Sequence, residues 1–146
     1  MIQWNAELVR RLSCREEEKR QIAPLIRRFM ELAQKARGEG FQSLDGVLSE
    51  TDDPLLSLGL RLVLEGLPED ALEDVLATYL IAENRSGWPF LRACVIIEGL
   101  LALAADDDPA TVARKLVAYY GAERAAPILE ELERDPLQSA PAKEET

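Results

Sequence analysis

Histidine is missing from all 146 residues, and cysteine appears only twice, at Cys14 and Cys94. Without imidazole, the usual zinc sites and every His-dependent base are excluded. The two cysteines show no CxxC spacing, which fits reduced thiols in a cytoplasmic protein. Aromatic residues make up only 5% of the chain, and the Val, Ile, Thr and Tyr runs that favour strands are missing. No basic-then-apolar leader opens the chain, so export is not expected. A GxSxG elbow is absent as well. Gly38-Glu39-Gly40 lacks the glycine spacing and trailing lysine of a phosphate loop. An enzyme is therefore not expected, and no cofactor or metal is called for.

What the chain has is leucine and alanine in helical order. With 47% hydrophobic residues it can bury a sizeable core without disulfides or metal. The composition predicts an all-α fold, a compact bundle of about six to eight short helices in one domain over residues 1–134. Residues 135–146, DPLQSAPAKEET, read as a disordered tail.

Charge is uneven along this frame. Residues 1–37 carry nine basic and five acidic side chains, net +4, whereas residues 38–146 carry eight and twenty-two, net −14. The acidic bulk argues against nucleic acid, because neutralising phosphates needs a basic surface. Glu16, Glu17 and Glu18 interrupt the basic head, which reads as a solvated helix face.

Punctuation marks the helices. Gln3 to Leu12 reads as a leading helix with Trp4, Leu8 and Leu12 on one face. Ser13-Cys14-Arg15-Glu16 has capping-box spacing, and the helix it opens carries Ile22, Leu25, Ile26, Phe29, Met30, Leu32 and Ala33 before ending near Arg37. Pro24 inside it predicts a bend or a split into two segments. After Gly38 and Gly40 a short helix spans Phe41 to Glu50. Asp53-Pro54 and the run Asp106-Asp107-Asp108-Pro109 are acid-plus-proline start signals. Gly66 ends one helix and Pro68-Glu69-Asp70 starts the next. Both acidic runs precede a proline, where acids act as caps, so a hard-cation site is not expected there.

Pro89 opens the most apolar segment, PFLRACVIIEGLLALAA. It is short for a membrane span and carries Arg92 and Glu98, so the central helix of a soluble bundle is the expectation. An echo links Leu64-Glu65-Gly66 to Ile97-Glu98-Gly99 at 33 residues. The segments that follow, PEDALEDVLATYL and PATVARKLVAYYG, align at 41, so no regular solenoid is expected.

The runs LAQKARGEGFQSLD, DDPLLSLGLRLVLEG and PEDALEDVLATYL, in that order, resemble the cytoplasmic region of flagellar motor stator A subunits, within the MotA/TolQ/ExbB proton-channel family. RACVIIEGLLALAADDDPATVARKLVAYYG resembles the same family's segment after its last membrane helix. The likeness spans roughly Ile22 to Gly121. In the family a membrane hairpin separates the two parts; here only about Glu83 to Pro89 does. The resemblance therefore implies soluble parts joined directly, with no proton conduction and no membrane insertion.

It also implies a docking role. The family's cytoplasmic domain carries an Arg and, eight residues on, a Glu that act electrostatically against charged residues of the rotor switch protein. The matching positions are Arg37 and Asp45, the latter one methylene shorter than Glu. Pro109 matches the proline associated with torque generation. The expected partner is thus a protein, the flagellar rotor switch protein by resemblance, with a second copy of the chain as a further candidate. The alternative function is a general α-helical adaptor or oligomerisation module whose apolar grooves take partner helices.

Overall fold

Acid and proline together mark the starts of three helices of this chain, those beginning at Pro54, Glu69 and Pro109. The computed structural model describes residues 10–134. Within them run α1 (Glu16–Lys19), α2 (Ile22–Glu39), a 3-10 turn (Phe41–Leu44), α3 (Asp45–Glu50), α4 (Pro54–Leu64), α5 (Glu69–Ala82), α6 (Trp88–Ala104), α7 (Pro109–Val117), a second 3-10 turn (Ala118–Tyr120) and α8 (Ala122–Glu133). Residues 10–12 are helical too, and no strand occurs among the described residues. The all-α expectation holds. The rest of the leading helix expected from sequence, with Trp4 and Leu8, and the tail expected from Asp135 fall outside the described residues.

Asp53 Oδ1 accepts the N–H groups of Leu55 (3.0 Å) and Leu56 (3.2 Å), and Asp108 Oδ1 accepts that of Thr111 (2.8 Å). Each cap is followed by proline at the first helical position, where no intrahelical donor is lost. Pro24 does split its helix: α1 and α2 break at Arg20-Gln21, and the proline lies in the first turn of α2, whose N–H groups have no intrahelical acceptor. The capping box expected at Ser13–Glu16 is corrected. Arg15 is the N-cap, its N–H donating to the Glu18 carboxylate at 3.0 Å. Ser13 is occupied in the preceding turn, where its N–H donates to the Arg10 carbonyl at 3.2 Å.

Helix α6 is the centre of the bundle. Eleven of its residues are buried, Phe90 to Leu103, and they cover its whole circumference. Helix α2 packs on α6 and α7, while α4 and α5 pack on α6. No polar or charged residue is fully buried among the described residues, so burial of apolar area dominates this core. Cys14 and Cys94 are free thiols, and burial pushes Cys94 up to about 12. No helix among the described residues is long and apolar enough to cross a membrane.

The structure revises the internal echo. Gly66 ends a helix at φ +78°, whereas Gly99 lies mid-helix in α6, so the 33-residue match joins unlike places. The register that works is 40 residues, relating the hairpin α4–α5 to the hairpin α6–α7. Glu65, Gly66 and Leu67 donate to the carbonyls of Arg61, Val63 and Leu62; Ala105, Asp106 and Asp107 repeat this onto Leu101, Leu103 and Ala102. These are matching Schellman closures. Buried Leu56, Leu60, Val63, Leu72, Leu76 and Leu80 correspond to buried Ile96, Leu100, Leu103, Val112, Leu116 and Tyr120. Aligning the prolines gave 41 because Pro68 is an N-cap while Pro109 follows one.

Candidate functional site

The α6–α7 turn gathers two of the three residues singled out in the sequence. Arg37, in the last turn of α2, donates from Nη1 to the Asp106 carbonyl at 2.8 Å and lies 3.7 Å from its carboxylate. Asp106 has φ +61°, a left-handed conformation that disfavours a Cβ, and Arg37 Nη1 reaches both its carbonyl and its carboxylate. The basic head of the chain therefore reaches its acidic body here. Pro109 begins α7 three residues further on and is partly exposed.

The acidic run divides its labour. Asp106 takes Arg37, the Asp107 carboxylate accepts from Lys115 Nζ, and Asp108 caps α7. Hydrogen bonds from Thr111, aided by Arg37 and Arg114, hold the Asp108 carboxyl below its ordinary value. Asp45 stands apart from this cluster. It is exposed at the start of α3, where an acid complements the helix dipole, and makes no ion pair among the described residues. Arg37 and Asp45 are thus both accessible but in different states, one braced internally and the other open to solvent.

A second arrangement escaped sequence reading. Half-buried Glu98 of α6 and Lys115 of α7 both line two neighbouring cavities of 380 and 320 Å³. The larger continues past Tyr119 and Ala118 to Leu12 and Lys19; the smaller runs over Leu101 and Ala105 to Glu69 and Glu73. Burial pushes the Glu98 carboxyl up, with Lys115 pulling against it. Its only signal in sequence was a lone Glu inside the apolar run of α6. Asp53 gives the opposite case: burial raises it, yet the Leu56 and Leu55 N–H groups and the Arg92 guanidinium together hold it below its ordinary value. Asp53, Asp106, Asp107 and Asp108 serve as caps or ion-pair partners.

With the geometry in place, similarity adds direction. Part of this chain is similar to a motility protein. Over 52 residues it is 38% identical to "Motility protein A" of Borreliella burgdorferi, a match covering 36% of this chain and 20% of that protein. The chain therefore spans about a fifth of the length of that relative. No protein-family model matches the chain. No solved structure matches it either.

Proposed function

We propose that this chain is a MotA-like protein-interaction domain of the cytoplasm that engages a flagellar motor component through charged helix ends, without catalysis or proton conduction. The observation that carries the reading is the partial identity with Motility protein A. The position of the charges supports it: Arg37 and Asp45 are exposed near the ends of successive helices, and Arg37 adjoins the turn leading to Pro109. The rotor switch protein is the partner to test. Charge contacts across such a surface contribute modestly to affinity and more to orientation and association rate.

The test is binding to purified rotor switch protein by Arg37→Glu, Asp45→Lys and Asp106→Asn variants over a range of salt. Both reversals abolish binding under this reading, and binding weakens with salt. Asp106→Asn removes only the ion pair with Arg37 and keeps the hydrogen bond to the backbone carbonyl, so binding stays unchanged or rises slightly. Unchanged binding by both reversals would sink the reading.

The adaptor alternative has one observation in its favour. Tyr79 and Ile81, near the end of α5, are 39% and 61% exposed, large hydrophobics two residues apart on different sides of the helix. It predicts salt-insensitive, concentration-dependent association in sedimentation, abolished by Ile81→Asp.

A further inference from the structure

The two cavities that meet at Glu98 and Lys115 differ in sign. To that pair the 320 Å³ cavity adds the carboxylates of Glu69 and Glu73, whereas the 380 Å³ cavity adds the ammonium of Lys19. The larger one is therefore a basic recess in a chain whose net charge is −10. Separate segments converge on it: Lys19 closes α1, Glu98 lies in α6, Lys115 in α7, and Ala118 and Tyr119 belong to the second 3-10 turn. Its donors are not used up. Half-buried Lys19 has no ion-pair partner among the described residues, and Lys115 Nζ gives one of its three hydrogens to Asp107. Burial favours the protonated form of Glu98, which adds an O–H donor at the same place.

We propose that the 380 Å³ cavity is a binding site for a small aromatic carboxylate, with the anionic head on Lys115 and Lys19 and the ring against Tyr119 and Ala118. Its volume falls in the range of small-molecule sites, about 300–1,000 Å³. The polar groups decide the sign of the head: donors from two ammoniums outnumber the acceptors, and charge-assisted hydrogen bonds to a carboxylate are among the strong ones. An amine would meet two like charges. The walls decide the body. Leu12, Tyr119 and Tyr120 supply apolar and aromatic surface, exposed Ala118 is small, and a Cβ on Gly121 would meet no atom within 4 Å, so a flat ring has both room and stacking neighbours. Glu69 and Glu73 repel such an anion from the smaller cavity, which fixes the end at which the head sits. The inference is independent of any role in motility.

Carboxylate, amide and ammonium versions of one ring separate the possibilities. Naphthoate is titrated into isotopically labelled full-length protein and followed by amide NMR, with naphthamide and naphthylmethylammonium as controls that keep the ring. Naphthoate is expected to shift the amides of Glu98, Lys115 and residues 118–121 saturably, and both controls to bind several-fold more weakly. Replacing both lysines, Lys19→Gln with Lys115→Gln, weakens naphthoate about tenfold, whereas Glu98→Gln, which keeps a donor, leaves it equal or tighter. Ala118→Trp fills the recess from an exposed position and removes binding while circular dichroism confirms the fold. Should that variant not fold, the lysine variants carry the test. The proposal is overturned if naphthoate moves none of these amides, or if naphthamide binds as tightly, which leaves an apolar crevice only. It is equally overturned if the ammonium binds best and Glu98→Gln abolishes its binding, which makes the recess a cation site.

Discussion

The hairpins α4–α5 and α6–α7 share a backbone path in 40-residue register but hold it with different chemistry. The first turns on Gly66, which adopts φ +78° at little cost; the second turns on Asp106 at φ +61°, held by Arg37 from a helix far away in sequence. The first enters its second helix through Pro68, which caps nothing with its side chain, the second through Asp108, which does. Position 58 is leucine where position 98 is glutamate. One hairpin closes its turn locally through Gly66, while the other closes its turn with a long-range contact from Arg37. A fold can thus repeat a shape without repeating its causes, and the copy closed at long range is the one that holds the features of functional interest.

The largest expected difference between the two lies at their equivalent glycines. A Cβ on Gly99 would meet the buried Phe29 ring at 2.6 Å, whereas on Gly59 it would meet the flexible end of Leu100. Gly99→Ala should destabilise by about 2–3 kcal/mol as overpacking against a ring that cannot yield, and Gly59→Ala by clearly less, read as shifts in denaturant midpoint. Equal losses would show that the two notches are equally rigid.

Caps come next. Asp53→Ala should cost about 1–2 kcal/mol, since it removes a cap to two N–H groups and the Arg92 ion pair, and Asp108→Ala less. Both carboxyls are depressed in the fold, so their contribution is present above the ordinary carboxylate range and lost as pH falls through the depressed values. Acid titration of stability should lose amplitude in each variant at low pH. The turns themselves follow: Gly66→Ala should destabilise by about 1 kcal/mol through its positive φ, while Asp106→Gly should be neutral or slightly stabilising in thermal melts. If Asp106→Gly costs as much as Gly66→Ala, Arg37 contributes more to the second turn than a surface ion pair should.

The smallest effect belongs to Glu98. Its carboxyl is raised by burial, so the folded state favours the protonated form and stability falls as pH rises from the ordinary carboxylate range through the raised value. Glu98→Leu, which copies position 58, should be mildly stabilising at neutral pH and neutral at acidic pH.

Much of this was legible in residue types that carry their own local geometry. Asp53-Pro54 and Asp108-Pro109 marked helix starts because cap and proline act within one turn, and Pro24 announced the break before α2. The capping box slipped by two residues because the Glu16–Glu18 run offers several partners to several candidate caps. The 40-residue register was hidden because it lives in backbone hydrogen bonds that Gly66 and Asp106 satisfy equally. The brace from Arg37 to Asp106 spans 69 positions and follows only from how α2 crosses α6. Likewise, Glu98 stood out as a charge in an apolar run, but its neighbours Lys115 and Lys19 come from other helices and no spacing rule joins them.

An interior with no fully buried polar side chain among the described residues also decides how this protein should meet acid. Protonation strips the rim of its caps and ion pairs but finds no ionic or hydrogen-bonded side-chain pair to break in the centre. Acid should therefore fray the capped helix starts at the rim before it disturbs the packing of the apolar centre.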